Sequence, residues 1–269
     1  MSKSRVNYVI PFRGRFFLIE RCIQSLMSQK NGDWLAHIVE DASEWDDTDR
    51  KRLHVLVDNE PRITLLENSE RQGPLHNVYN VIVNHLKGDD TIIAQLDGDD
   101  WLLPNATDVI LGMHKQSTIT YGQFLRYAPW TPWHMKYGHC REYPPQVILA
   151  NSYEDYPWVA SHLKTFKRKC FTAIPYEMMI DPRNGNFWNS SYDMAYMLPM
   201  LKMIEDKNEI YFNSLPICMY NMENWDSEHV KEKIQVETAK FIAEAVKLYI
   251  DQGKRFDNED SNAGSEPRD

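Results

Sequence analysis

Hydrophobic residues recur along the first hundred positions in two alternating patterns. Residues 6–11 (VNYVIP) form a short apolar run stopped by proline, the pattern of a buried strand. Residues 16–29 place Phe17, Ile19, Ile23, Leu26 and Met27 mostly at helical spacing, which predicts an amphipathic helix. The alternation continues, with strands predicted over 34–39 (WLAHIV), 62–67 (RITLLE) and 91–96 (TIIAQL) and helices over 48–58 and 75–86. Strands alternating with helices predict an α/β fold, a mostly parallel central sheet with flanking helices.

The pattern then changes. Residues 121–158 are rich in Pro, Trp and Tyr and predict a long irregular segment, which inside a compact domain is usually functional. Regularity returns from Ser161. Residues 192–204 predict a helix kinked at Pro199, 209–216 a strand, and 228–250 a long amphipathic helix. The polar stretch 252–269 predicts a disordered tail. Residues 1–251 read as a single domain with halves 1–110 and 111–251, without internal repeats.

Composition narrows the classes. Of 269 residues 42% are hydrophobic and 12% aromatic, enough apolar material to fold, so disorder throughout is excluded. No apolar run approaches the roughly 20 residues of a bilayer-spanning helix. Acids outnumber bases 39 to 30, a net charge of −9, so a global positive field for nucleic acid is absent. Cys22, Cys140, Cys170 and Cys218 form no C-x-x-C pair and read as reduced thiols. The N-terminus enters a strand-like run without the apolar stretch of a signal peptide, and a cytoplasmic protein is expected.

The chemistry concentrates in Asp97-Gly98-Asp99-Asp100, directly after the strand TIIAQL. Three carboxylates at the end of a buried strand repel one another unless a cation neutralises them. Carboxylate oxygens are hard ligands suited to Mg²⁺ or Mn²⁺, and open α/β sheets bind ligands outside their strand C-termini. The alternative is an acidic turn capping the next helix. Two further strand ends, Pro11-Phe12-Arg13-Gly14-Arg15 and Glu40-Asp41-Ala42-Ser43, belong on the same sheet edge. There an aromatic ring can stack on a base and a carboxylate can accept its N–H, although capping or simple solvation also suits Asp41.

The three blocks VNYVIPFRGR, HIVEDASEWDDT and KGDDTIIAQLDGDDWLLP resemble, in order, the N-terminal blocks of glycosyltransferase family 2. The resemblance runs over residues 5 to about 110 and is traceable to about 225. It implies the GT-A fold, with a Rossmann-like N-terminal half, and inverting transfer of a sugar from a nucleotide diphosphate sugar, UDP-sugars being the expected donor class. It implies that Pro11, Phe12 and Arg13 line the nucleotide pocket, that Asp41 meets the base, and that Asp97 and Gly98 lie near the ribose. Asp99 is then the metal ligand with Asp100 beside it, and Arg71 also falls on the nucleotide site. In Ser190-Ser191-Tyr192-Asp193, Tyr192 replaces the family's usual Glu, while Asp193 is kept as the expected general base. Single displacement needs such a carboxylate to take the acceptor hydroxyl's proton, and the metal stabilises charge on the departing diphosphate.

Other residues extend the expectation. His162 is a candidate phosphate or metal contact, with a satisfied structural histidine as the alternative. His229 falls in the family's loop over the diphosphate. Lys164, Lys167, Arg168 and Lys169 are either a solvated face or a polyanion patch. Trp130, Trp133, Tyr137, Tyr143 and Trp158 suit sugar faces or else pack their own segment. The expected acceptor is a saccharide or glycan, with hydroxymethylated or glucosylated DNA as an alternative and a non-catalytic nucleotide-sugar-binding module as a third reading. A haloacid-dehalogenase phosphatase needs a nucleophilic Asp after the first strand, where Pro11-Phe12-Arg13 stands.

Overall fold

The computed structural model describes residues 4–128, 136–223 and 228–251, with side chains of the last segment from 233 to 249. Trp130, Trp133 and the tail 252–269 lie outside the described residues.

Strands β1 (Val6–Phe12), β2 (Trp34–Glu40), β3 (Ile63–Glu67) and β4 (Ile92–Gln95) alternate with helices α1 (Phe16–Met27), α2 (Asp47–Asp58) and α3 (Pro74–Asn80), as the periodicity predicts. A π-helical turn, Val81–His85, extends α3. Then follow β5 (Trp101–Leu102), α4 (Ala106–Met113), β6 (Ile119–Gly122), β7 (Leu125–Tyr127), β8 (Lys136–Tyr137), α5 (Pro145–Ala150), β9 (Lys164–Lys167) and α6 (Arg168–Thr172). The chain continues through β10 (Ile180–Asp181), β11 (Asn186–Phe187), α7 (Tyr192–Met203), β12 (Ile210–Asn213), β13 (Cys218–Asn221) and α8 (Glu228–Asp251). Helix α7 runs through Pro199 as one element.

The seven-stranded sheet has the order β12-β6-β9-β4-β1-β2-β3. Strands β1 to β4 run parallel, as do β12 and β6, whereas β9 enters antiparallel between β4 and β6. A four-stranded sheet, β5-β13-β7-β8, sits beside it. Strand β5 begins one residue after Asp100 and pairs antiparallel with β13, Trp101 opposite Met219. The acidic turn is therefore tied to a segment more than a hundred residues away in sequence.

Strand β1 shows why both faces of the sheet are covered. Val6, Tyr8, Ile10 and Phe12 join the core beneath α1, α2 and α4, while Val9 joins the opposite core with α3 and α7. A strand buried on both faces reads as the continuous apolar run seen in the sequence.

The segment 121–158 is more regular than expected: it holds β7, β8 and α5. Tyr137 is exposed, but other rings of this segment pack inward. Tyr143 is buried and sits edge-on against Tyr153 at 4.9 Å and Tyr121 at 5.8 Å, so it is core rather than a sugar contact. The basic stretch divides likewise. Lys164 is buried, while Lys167 and Lys169 pair with Asp90 and Arg168 with Asp89, at 3.4–3.9 Å.

At the end of β2 the chain turns through Ala42 with φ +54°, the left-handed region that costs an L-residue about 1–2 kcal/mol. The turn is held by Glu40 Oε1, which accepts the Ser43 N–H at 2.6 Å, and by Ser43 Oγ, which accepts the Gly14 N–H at 3.0 Å. Replacing Ala42 by Gly relieves the strain but adds about 0.5–1 kcal/mol of unfolded-chain entropy. Ala42→Gly is therefore expected to stabilise the protein by up to about 1 kcal/mol in denaturant unfolding, and a clear loss of stability contradicts the strain.

Candidate active site

The site grows from the C-terminal end of β4. Leu96 N–H donates to Val9 O and Gly98 N–H to Pro11 O, which fastens the turn 97–100 to the end of β1. Asp100 N–H donates to Asp97 O at 3.0 Å, closing a β-turn whose ends are Asp97 and Asp100 and whose central residues are Gly98 and Asp99. Gly98 is required by contact. A Cβ there would lie 2.6 Å from Phe12 Cδ2 and 2.7 Å from Phe12 Cβ.

The turn geometry selects which carboxylates converge. Asp97, Asp100 and His162 each offer a ligand atom, all within 4.8 Å of one another. His162 Nε2 lies 3.6 Å from Asp97 Oδ2 and 3.5 Å from Asp100 Oδ2. Its Nδ1 is engaged by Ser161 Oγ at 2.7 Å, so Nε2 is the atom presented to the carboxylates. Asp100 Oδ1 accepts the Asn221 N–H at 2.8 Å, but among the described residues Asp100 Oδ2 and His162 Nε2 are buried without a hydrogen-bond partner. Asp99, which the resemblance assigns to the metal, sits at the turn's tip, outside this group. Its carbonyl accepts a hydrogen bond from Arg21 at 3.4 Å.

Electrostatics follow from this crowding. Two ionised oxygens 4.8 Å apart repel by about 3–4 kcal/mol at an effective dielectric near 20. Burial, reinforced by the charges of Asp100 and Asp97, pushes the Asp99 carboxyl up to about 8. Burial also raises Asp100, despite the neighbouring His162. Asp97 goes the other way: burial raises it, but His162, Lys164 and the Tyr192 hydroxyl outweigh burial and hold it well below the carboxylate range. Burial and the Lys164 charge push the His162 imidazole down, but contact with Asp100 and Asp97 lifts it above its ordinary value.

Asp193 opens helix α7 beside this group. Its Oδ2 accepts from Trp158 Nε1 at 3.3 Å and lies 3.9 Å from Lys164 Nζ, and its Oδ1 accepts the Met194 N–H at 3.1 Å. Tyr192, the preceding residue, donates its hydroxyl to Asp97 Oδ1. Asp97 and Asp193 are thus joined through one residue of α7 and share the Lys164 ammonium.

The other expected residues are placed as follows. Phe12 is buried between Gly98 and Trp45, its ring centroid 5.9 Å from that of Trp45. Arg13 is exposed and pairs with Glu44 at 3.0 Å. A cavity of about 590 Å³ opens at this edge, lined by Arg13, Phe16, Ser43, Trp45 and Arg52 among others; none of Asp97, Asp100, His162 or Asp193 lines it. Arg71 is exposed. His229 belongs to α8, and its side chain is outside the described ones.

Asp41 has internal partners. Its Oδ1 accepts from Asn68 Nδ2 at 2.9 Å and the Gln72 N–H at 2.7 Å, and its Oδ2 accepts the Gly73 N–H at 2.9 Å. It therefore staples the β3–α3 loop, which carries Arg71, to the end of β2. The basic stretch hid Lys164, and nothing in the sequence pointed to Gln95 or Arg21, whereas Tyr220-Asn221 falls where the resemblance puts a loop over the diphosphate. The informative feature was a lysine in a strand whose neighbours are buried.

Burial raises the Asp41 carboxyl, but the donors from Gln72, Asn68 and Gly73 outweigh it and hold it below its ordinary value. A depressed carboxylate contributes stability above its unfolded pKa of about 3.9 and loses it as pH falls through the folded value. Asp41→Asn puts an amide NH2 donor in place of one accepting oxygen, against an N–H donor, and is expected to lose about 2–3 kcal/mol at neutral pH in denaturant unfolding. The gap should close below about pH 4, and a gap independent of pH contradicts the assignment.

Similarity to known proteins fits this geometry. The family profile described as "Glycosyl transferase family 2" matches residues 8–181. Among solved structures, S. aureus TarS 1–349 in complex with UDP-GlcNAc superposes with a TM-score of 0.60 at 13% identity, covering 91% of this chain and 66% of that one. A second structure of S. aureus TarS 1–349 gives 0.56 at 11% identity, covering 81% and 60%. GalNAc-T7 with UDP, GalNAc and Mn²⁺ gives 0.53 at 12% identity, covering 81% and 43%. The chain thus spans about 60% of the length of the first TarS structure. At these identities the likeness establishes a shared GT-A fold. A search of the curated protein sequences finds no match.

Proposed function

The chain belongs to glycosyl transferase family 2, and from that premise we propose that it is a metal-dependent, inverting glycosyltransferase. Its donor is a nucleotide diphosphate sugar, of the UDP class, and its acceptor a hydroxyl on a glycan. Residues 1–251 act as one GT-A domain in this reading. The observation that carries it is the convergence of Asp97, Asp100 and His162, two of them with buried unpartnered ligand atoms, beside a carboxylate that opens α7.

The donor set fits a metal. Two carboxylates and one imidazole suit Mn²⁺, and with fewer nitrogen contacts Mg²⁺. Asp97, Asp100 and His162 would hold it, with Asp99 at the turn's tip available to the donor. When bound, the ion supplies Lewis-acid stabilisation of negative charge on the departing diphosphate.

The chain's own residues divide the remaining work. Asp193 takes the proton from the acceptor hydroxyl as that oxygen attacks the sugar's anomeric carbon. Trp158 Nε1 and the Met194 N–H fix its carboxylate orientation. The base and ribose lie along the ends of β1 and β2, where the cavity beside Arg13 offers aromatic and cationic walls.

Two observations favour a glycan over DNA as acceptor. Lys167, Arg168 and Lys169 are paired with Asp89 or Asp90, and Lys164 is buried at the site, so the basic stretch does not form a free patch. The net charge of −9 adds repulsion from phosphates. The four free, buried cysteines support a cytoplasmic setting, and no helix among the described residues is long and apolar enough to cross a membrane.

Two outcomes test the reading. Asp193→Asn should retain donor binding by calorimetry while transfer falls by about 10³-fold or more; wild-type turnover in this variant removes Asp193 from the chemistry. His162 must lose its proton to bind a metal, and its neighbours favour the protonated form. Mn²⁺ affinity should therefore weaken by roughly tenfold per pH unit below the His162 pKa, and a flat profile between about pH 8 and 6 contradicts ligation by His162.

A further inference from the structure

Helix α7 and strand β4 meet in a polar network that the reaction scheme leaves unused. Tyr196 donates its hydroxyl to Gln95 Oε1 at 3.1 Å. Gln95 Nε2 donates to Asp97 Oδ1 at 2.9 Å and to Tyr192 Oη at 3.0 Å. Tyr192 in turn donates to Asp97 Oδ1. Gln95 and Tyr196 are fully buried, and Tyr192 is partly so. The Gln95 amide and the Tyr192 and Tyr196 hydroxyls are all hydrogen-bonded, whereas Asp100 Oδ2 and His162 Nε2 nearby are buried without a hydrogen bond among the described residues. Asp97 therefore has two differently employed oxygens: Oδ1 receives two donors, and Oδ2 faces His162.

Resting on the proposed metal-dependent transfer, we propose that Tyr192, backed by Gln95 and Tyr196, is a positioning residue that locks the Asp97 carboxylate with Oδ2 toward His162 and thereby ties the metal-binding turn to the helix that carries Asp193. Tyr192 and Asp193 are consecutive in the first turn of α7, so a hydrogen bond at one fixes the approach of the other to the same turn. Removing the Tyr192 hydroxyl leaves Gln95 as the sole donor to Asp97 Oδ1 and frees the carboxylate to rotate. A carboxylate that must be re-oriented on binding holds a metal less tightly and places the turn less well relative to the base.

The test is Tyr192→Phe, which keeps the ring, with Tyr196→Phe as a second variant acting one bond further back. Mn²⁺ binding is read by electron paramagnetic resonance without donor, alongside kcat, donor KM and thermal midpoint. Tyr192→Phe should weaken Mn²⁺ binding about 5- to 20-fold and lower kcat about tenfold or more, with donor KM nearly unchanged. Tyr196→Phe should move the same quantities in the same direction by about threefold. Wild-type Mn²⁺ affinity and kcat in both variants overturn the inference alone. A wild-type protein that binds no Mn²⁺ overturns the metal reading and the inference with it. If Tyr192→Phe does not fold, an unchanged Tyr196→Phe overturns the inference, and a weakened one supports it.

Discussion

Like charges held at the end of a buried strand set the terms for the rest of this structure. Asp97, Asp99 and Asp100 lie within five residues of the end of β4, and the turn that contains them is hydrogen-bonded to the neighbouring strand. Repulsion of several kcal/mol between close carboxylates would open such a turn unless cations or donors offset it. The protein supplies them unevenly. Asp97 receives donors from Gln95 and Tyr192 and sits near the Lys164 charge, whereas Asp100 Oδ2 accepts no hydrogen bond among the described residues and has only the His162 imidazole 3.5 Å away. An unsatisfied buried acceptor costs stability, which a protein retains where function needs the vacancy in its bonding.

Topology explains how distant segments reach the turn. β4 lies inside the sheet, so its C-terminal end is flanked by β1 on one side and β9 on the other. From β1 comes the carbonyl of Pro11, and from the approach to β9 come His162 and Lys164. The smaller sheet brings the Asn221 backbone to Asp100 through the pairing of β13 with β5. Helix α7 closes the remaining side with Tyr192 and Asp193. Arg21, stacked 3.9 Å from the Trp101 ring and paired with Glu223 at 2.9 Å, fastens the far side of the turn to the segment after β13.

Much of this was legible in the residue pattern. Strands β1 and β4 are buried on both faces and therefore appear as apolar runs, and the acidic turn follows from its composition. β9 was hidden because KTFK reads as a basic surface stretch, while Lys164 is buried as a counter-charge for carboxylates that only the fold brings near. Which of the carboxylates converge was also out of reach. Spacing shows three acids, but the hydrogen bond from Asp100 N–H to Asp97 O decides which two face each other. Tyr143 takes the second of the two roles its sequence leaves open, because composition cannot separate rings that pack together from rings that face a ligand.

The central claim is that the turn after β4 and His162 together form one cation site. Anomalous diffraction from crystals soaked in Mn²⁺ tests it most directly. The account predicts a single strong peak within bonding distance of Asp100 Oδ2 and His162 Nε2, with Asp97 adjacent. A peak held by Asp99 away from His162, or no peak at this turn in the presence of a nucleotide diphosphate, would contradict it.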